Sequence, residues 1–358
     1  MNIAILSDTL SPTPTAGGHG LGAATMFMVR QCVALGHTVT LFASADSTQQ
    51  DNTYTLVAPR GALAKREYET VLASAALAKH RETAFDVLVD CGHTHVLSAL
   101  FPNLPVLNVY HDIWQPFQRC PITVSNAQRV LMTLQDQRFY NAQVLPNLVQ
   151  RVNDVYSPLP QSESPYVLFL GAVLSYKQPL LALQAAAAYG IHIKIAGMLD
   201  TAMRSLLSGN ENVTLLGAVT GNAKWHLLAN AQALLNLGIA ESFGLTTVEA
   251  NLCGTPVVAW HTGGGVDLIR YGFNGVLVPP SNNAVQAVAS AIERATDIER
   301  ANCRRQALHH VTPSALDDIL PNEHERAIDA EFDLLAPLNA YRQKLSACLS
   351  ACANGLWW

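Results

Sequence analysis

The sequence predicts an α/β protein of two domains, and three observations carry that prediction. The chain has 358 residues, while single hydrophobic cores stop growing at about 250–300 residues. Hydrophobic residues make up 49% and charged residues 14%, enough apolar surface for two cores. Short apolar runs of strand length alternate with longer helix-like segments, the pattern of parallel sheets.

In the first half, Asn2–Ser7 reads as a strand, without the basic start or long apolar run of a signal peptide. Asp8–Gly22 is a loop ending Ala16-Gly-Gly-His-Gly-Leu-Gly22. A helix follows over roughly Leu21–Leu35, stopped by Gly36, and then a strand, Thr38–Ala43. Strand, glycine-rich turn and helix place backbone N–H groups where a phosphate or sugar oxygen can meet them. Glycines at such a turn also often serve the turn alone. A dinucleotide site is a competing reading, with Asp46 as its ribose partner, although the run is not GxGxxG. Leu63–Lys79 is helix-like and carries Lys65, Arg66 and Lys79, with Arg81 just beyond. The interleaved Glu67, Glu69 and Glu82 make it a solvated face. Phe85–Asp90 is a strand, and His93 and His95 in the turn after it read as polar groups lining a cleft. Pro105–Tyr110 is a strand ending in His111-Asp112, at the carboxyl end where α/β sheets take ligands.

Arg151–Pro165, rich in Pro and Ser, reads as an interdomain linker. Tyr166–Gly171, Ile191–Gly197 and Val213–Gly217 are strands, each followed by a helix. The densest stretch is Leu234–Pro256. The apolar run Ala233–Ile239 suits a buried strand, Ala240–Gly244 is a loop holding Glu241, and a helix starts near Leu245 and stops at Gly254-Thr-Pro256. Leu245, Val248 and Leu252 mark its buried face, and Glu249, four positions after Leu245, lies on that same face. A carboxylate directed into a core is costly unless a polar partner waits for it. Glu249 is therefore either a buried ion pair or a ligand-binding group. Ala284–Ala295 is a further helix, and the tail, about Asp317–Trp358, is helical.

Glu241-Ser-Phe-Gly-Leu-Thr-Thr-Val-Glu249 resembles the Glu-x7-Glu signature of the retaining glycosyltransferases of family 4. Cys253-Gly-Thr-Pro-Val-Val-Ala259, Thr262-Gly-Gly-Gly265, Asp267-Leu-Ile and Gly272-Phe-Asn-Gly275 continue it. Ala43-Ser-Ala-Asp46-Ser and Ile122-Thr-Val-Ser-Asn-Ala-Gln-Arg129 are similar to further runs of that family. The resemblance implies the GT-B fold: two Rossmann-like domains, about 1–155 and 166–312, facing a central cleft, with a tail 313–358 returning towards the first. It also implies roles. Gly17 and Gly18 lie over the donor, and His111 contacts the donor sugar. Gly171 and Lys177 stand where the family holds the diphosphate, but Ala172 replaces the family's arginine. Val219 edges the base, and Glu241 binds sugar hydroxyls. Phe243, Gly244, Leu245 and Thr246 face the donor, and Glu249 takes the ribose. His19, His93 and Trp114 are assigned to the acceptor side. Leu148 stands where the family has a turn glycine.

The net charge of −5 argues against a nucleic-acid partner, and no run of about 18 apolar residues predicts a membrane span. Seven scattered cysteines with no CxxC pair read as reduced thiols, hence a cytoplasmic protein. The expectation is a metal-independent, cofactor-free transferase of sugar from a nucleotide sugar, a UDP-sugar first, to a small soluble acceptor. A non-catalytic nucleotide-sugar-binding protein and a dinucleotide-dependent oxidoreductase are the alternatives.

Overall fold

A computed structural model describes residues 1–8, 12–13, 20–59, 65–150, 152–160, 164–312 and 322–356. The chain forms two compact units, Met1–Asn147 with Asn339–Trp358, and Leu148–Leu338.

Among the described residues the first unit holds seven parallel strands: β1 (Asn2–Leu6), β2 (Thr38–Phe42), β3 (Thr55–Val57), β4 (Val87–Asp90), β5 (Val106–Tyr110), β6 (Pro121–Thr123) and β7 (Gln143–Val144). Their order is β3-β2-β1-β4-β5-β6-β7. β4 and β5 are buried along their whole length, because helices cover both faces of a parallel sheet. On one face Ala4, Leu6, Phe42 and Leu88 pack with Tyr68, Leu72 and Ala76 of helix Lys65–Glu82. The C-terminal helix Ala336–Ala353 brings Tyr341 to 5.1 Å from the Phe27 ring, and Arg342 donates to Gln31 Oε1 over 2.9 Å.

The second unit holds two short strands, β8 (Val149–Gln150) and β15 (Val311–Thr312), paired in parallel. Its main sheet has β9 (Tyr166–Leu170), β10 (His192–Ala196), β11 (Val213–Gly217), β12 (Ala233–Asn236), β13 (Val257–Trp260) and β14 (Gly275–Val278). The order is β11-β10-β9-β12-β13-β14, all parallel. Phe169, Ile193, Leu235 and Val258 pack against Ala182, Leu183, Ala291 and Ile292 of the helices Pro179–Tyr189 and Ala284–Thr296. Each main sheet reverses its strand order once, between β1 and β4 and between β9 and β12. Crossovers leave such a point in opposite directions and open a crevice at the carboxyl ends of the two strands.

The first compact unit runs to Asn147, beside an expected division near 155, and includes 339–358 of the tail. Residues 154–156 are pinned, not loose: their three N–H groups donate to the Glu325 carboxylate at 2.8–3.0 Å. Glu325 belongs to helix Glu323–Asp329, and Arg304, fully buried, pairs with both Glu325 and Asp329. A polar-looking stretch thus became core because its backbone donors found a buried carboxylate. Trp357 and Trp358 lie outside the described residues.

Candidate active site

In the second unit, β9 and β12 carry the site. After β9 the backbone turns at Gly171, where φ is +145°, against Gly197, where φ is +149°. A side chain on Gly197 would sit on the Gly171 carbonyl, so the two loops touch backbone to backbone. The loop leads to a single turn, Ser175–Lys177. Gln178 follows in the left-handed region at φ 58°, and its Oε1 accepts the Trp260 Nε1 proton at 2.7 Å. Trp260 Nε1 also faces the Leu237 carbonyl at 3.0 Å, tying this turn to the end of β12.

Lys177 Nζ consequently meets Glu241 Oε2 in a hydrogen-bonded ion pair. Both side chains are about one-fifth exposed, 23% and 21%. Gly238 gives them room: a Cβ there would approach Lys177 Cδ to 3.1 Å. The Glu241 loop is held from the other side by the Thr262–Gly265 run. Gly264 N donates to the Glu241 carbonyl at 2.6 Å, and a Cβ on Gly263 would lie 2.6 Å from that oxygen. Gly244, at φ +104°, then starts helix Leu245–Leu252. Its carbonyl accepts the Thr247 and Val248 N–H groups, so the amides of Leu245 and Thr246 point out of the helix N-terminus, where an anion is favoured. Phe243 is buried, its ring 6.2 Å from that of His310.

Glu249 is not directed into apolar packing. It receives Lys224 Nζ at 2.8 Å, and both side chains are mostly buried. Lys224 lies in helix Gly221–Asn230, which begins just after Val219, and sequence reasoning did not single it out. A lysine four positions into a helix shows no pattern that separates it from a solvated face. Val219 follows the end of β11 and is half-buried. Ala172 lies exposed on the loop after Gly171.

In the first unit the ends of β4 and β5 gather polar groups. Glu69, expected in water, is 5% exposed. Its carboxylate accepts the N–H groups of His93 and Thr94, each at 2.9 Å, and the Thr94 hydroxyl. Asp90 accepts the Gly92 N–H at 2.9 Å, and burial raises its pKa to about 7. His93 Nδ1 lies 3.4 Å from Asp112 Oδ2, and that hydrogen bond raises the imidazole's pKa. Asp112 is fixed in turn by Trp114 N–H and Gln115 Nε2, both at 2.9 Å. Gln128 grips the end of β5, donating to the carbonyls of Tyr110 and Asp112 at 3.0 Å. His95, expected to line a cleft, is instead fully buried, 4.3 Å from the Tyr110 ring, and burial lowers its pKa to about 4. His111 Nε2 is sealed from solvent, and burial brings its pKa down to about 3, so the imidazole is neutral. Trp114 is 75% exposed. Gly17, Gly18 and His19 lie outside the described residues.

The structure therefore brings Lys177 to Glu241 within the second unit, and His93 to Asp112 within the first. Among the described residues no group of three or more His, Cys, Asp or Glu side chains is arranged to hold a metal ion. Nor is any helix among them long and apolar enough to cross a membrane.

Residues 154–310 match the family model of the glycosyl transferases group 1. The D-inositol 3-phosphate glycosyltransferase of Mycolicibacterium smegmatis is 32% identical over 155 residues, 40% of this chain and 35% of that protein. The probable sucrose-phosphate synthase 5 of Oryza sativa subsp. japonica is 38% identical over 78 residues, 22% of this chain and 8% of that protein. The matches thus span about a third of these curated relatives or less. Among solved structures, the sucrose-phosphate synthase from Thermosynechococcus elongatus has a TM-score of 0.70 at 19% identity, covering 97% of this chain and 100% of that one. The Anabaena HepE complex with UDP-glucose has a TM-score of 0.67 at 17% identity, covering 97% and 100%. These similarities, with the two parallel-sheet Rossmann-like units, give the chain the α/β fold of its GT-B neighbours, and residues 154–310 of its second unit match the model of the glycosyl transferases group 1.

Proposed function

We propose that the protein transfers a sugar, with retention of configuration, from a nucleotide sugar to a small soluble acceptor, and that a UDP-sugar is the donor. The observation that carries this reading is the meeting of Lys177 and Glu241 at the switch point of the second sheet, beside the N-terminus of helix Leu245–Leu252. A diphosphate needs positive charge where its leaving group develops. Lys177 and the amides of Leu245 and Thr246 supply it. As the diphosphate takes the ammonium, Glu241 is released to accept the sugar's hydroxyls. The pair is part-exposed, so its separation costs little, on the order of 0–1 kcal/mol.

Glu249 takes the ribose hydroxyls and Val219 the base. Neutral His111 is assigned to a sugar hydroxyl through Nδ1, since its Nε2 is sealed from solvent. His93 and Trp114 are assigned to the acceptor. The donor's own phosphate receives the acceptor's proton, and no cofactor is required. Family likeness in the second unit supports the donor assignment, and the solved HepE complex with UDP-glucose supports the choice of uridine. The enzyme is assigned to the cytoplasm, a reading supported by its free, buried cysteines.

A thermal-shift panel of nucleotide sugars, followed by donor hydrolysis on the hits, tests the reading. Stabilisation by UDP-sugars with slow hydrolysis is expected. A panel without hits refutes it. Exposed Ala172, where the family has arginine, favours a second reading as a binding protein, and tight binding without any turnover identifies that case.

A further inference from the structure

We infer that Lys224 is a positioning residue for nucleotide recognition, fixing Glu249 so that one carboxylate oxygen is committed to the protein and the other is left for the ribose. The inference rests on the donor reading above and goes beyond it, because it names what sets the donor's ribose selectivity.

Four observations carry it. Lys224 Nζ donates to Glu249 Oε1 at 2.8 Å, and among the described residues Oε2 carries no hydrogen bond. The two side chains are 19% and 16% exposed, so both groups are partly withdrawn from water. The ammonium is held a second time, 4.3 Å from the centroid of the Trp225 ring. Helix Gly221–Asn230, which carries Lys224, starts directly after Val219 and Thr220, so the element next to the proposed base edge also sets the carboxylate beside it.

A free glutamate has three side-chain torsions and pays entropy when a ligand orders it. Glu249, already paired through Oε1, has lost most of that freedom before the donor arrives, and preorganisation of this kind favours binding. Lys224 touches no substrate atom in this scheme and acts through Glu249.

Calorimetry tests the inference with UDP, ADP and GDP, each against its 2′,3′-dideoxy counterpart. The proteins are the full chain and its Lys224→Met, Lys224→Arg and Glu249→Gln variants. The wild type should prefer the ribonucleotide, as should Lys224→Arg. Lys224→Met should bind it roughly three- to thirtyfold more weakly, the range of one lost or loosened hydrogen bond to a charged group. Its preference over the dideoxy form should shrink toward that of Glu249→Gln. A purely structural ion pair would lower thermal stability without moving this ratio. Should Lys224→Met fail to fold, Lys224→Gln is read in the same way. Unchanged ribose preference in a folded Lys224 variant, with preference lost in Glu249→Gln, overturns the inference and leaves the donor reading standing. Failure of the wild type to bind any of the three nucleotides overturns both.

Discussion

Replacing Lys177 with alanine removes the ammonium proposed to meet the donor's diphosphate. A charge-assisted hydrogen bond to phosphate contributes about 1.5–3 kcal/mol. In the free protein that ammonium is already occupied by Glu241, in a pair about one-fifth exposed, worth about 0–1 kcal/mol. Binding the donor exchanges one partner for the other, so the net loss in Lys177→Ala is the difference, ~0.5–3 kcal/mol. That corresponds to a roughly two- to 160-fold fall in kcat/KM. Part of it should appear in kcat, because charge on the leaving group grows toward the transition state. Steady-state kinetics with a saturable donor, beside calorimetry with UDP, measures both parts. Ala172→Arg is the complementary change, since it restores a cation on the loop after Gly171, and tighter UDP binding is expected. Unchanged UDP affinity and turnover in Lys177→Ala would mean that the diphosphate is held elsewhere, and the reasoning from the ion pair would fail.

Glu249→Gln should raise the donor's KM with a modest change in kcat, whereas Glu241→Gln should mainly lower kcat; equal and negligible effects in steady-state kinetics contradict the assignment. His111→Ala should lower turnover strongly while the protein stays folded, and a folded variant with full activity returns His111 to a structural role. Burial holds the His111 pKa at about 3 against an ordinary 6.5, so its stabilising contribution is complete above about pH 6.5 and is lost as pH falls toward 3. His95, at about 4, acts in the same direction, and Asp90, raised to about 7, acts in the opposite one; His111→Gln should therefore flatten the acid side of a plot of Tm against pH, and an unchanged acid limb counts against a buried neutral imidazole. Turnover should persist in EDTA, because Lys177 and a helix N-terminus are assigned the leaving-group charge; loss of activity restored by Mg²⁺ or Mn²⁺ would contradict that assignment.

The positions of the main elements are legible in the order of the residues. Helix Ala284–Thr296 and the strands at Tyr166, His192 and Val213 follow from apolar periodicity and Gly or Pro stops. These signals are local, because a helix or a strand buries its own face within a few residues. The Glu241–Glu249 spacing and the glycines around it were legible for the same reason. The tertiary structure decided which partner each charge takes. Lys177 and Glu241 are 64 positions apart, and they meet because the sheet order sets β12 beside β9. Lys224 reaches Glu249 across 25 positions, between two helices. Glu69, on a helix that reads as solvated, turns inward because the backbone N–H groups of His93 and Thr94 need an acceptor. Residues 154–156 have the composition of a linker, yet they are core because Glu325, some 170 positions away, satisfies their donors. A charged side chain carries no sign in the sequence of whether water or a distant backbone group will neutralise it. That choice is made only when the strands have taken their order.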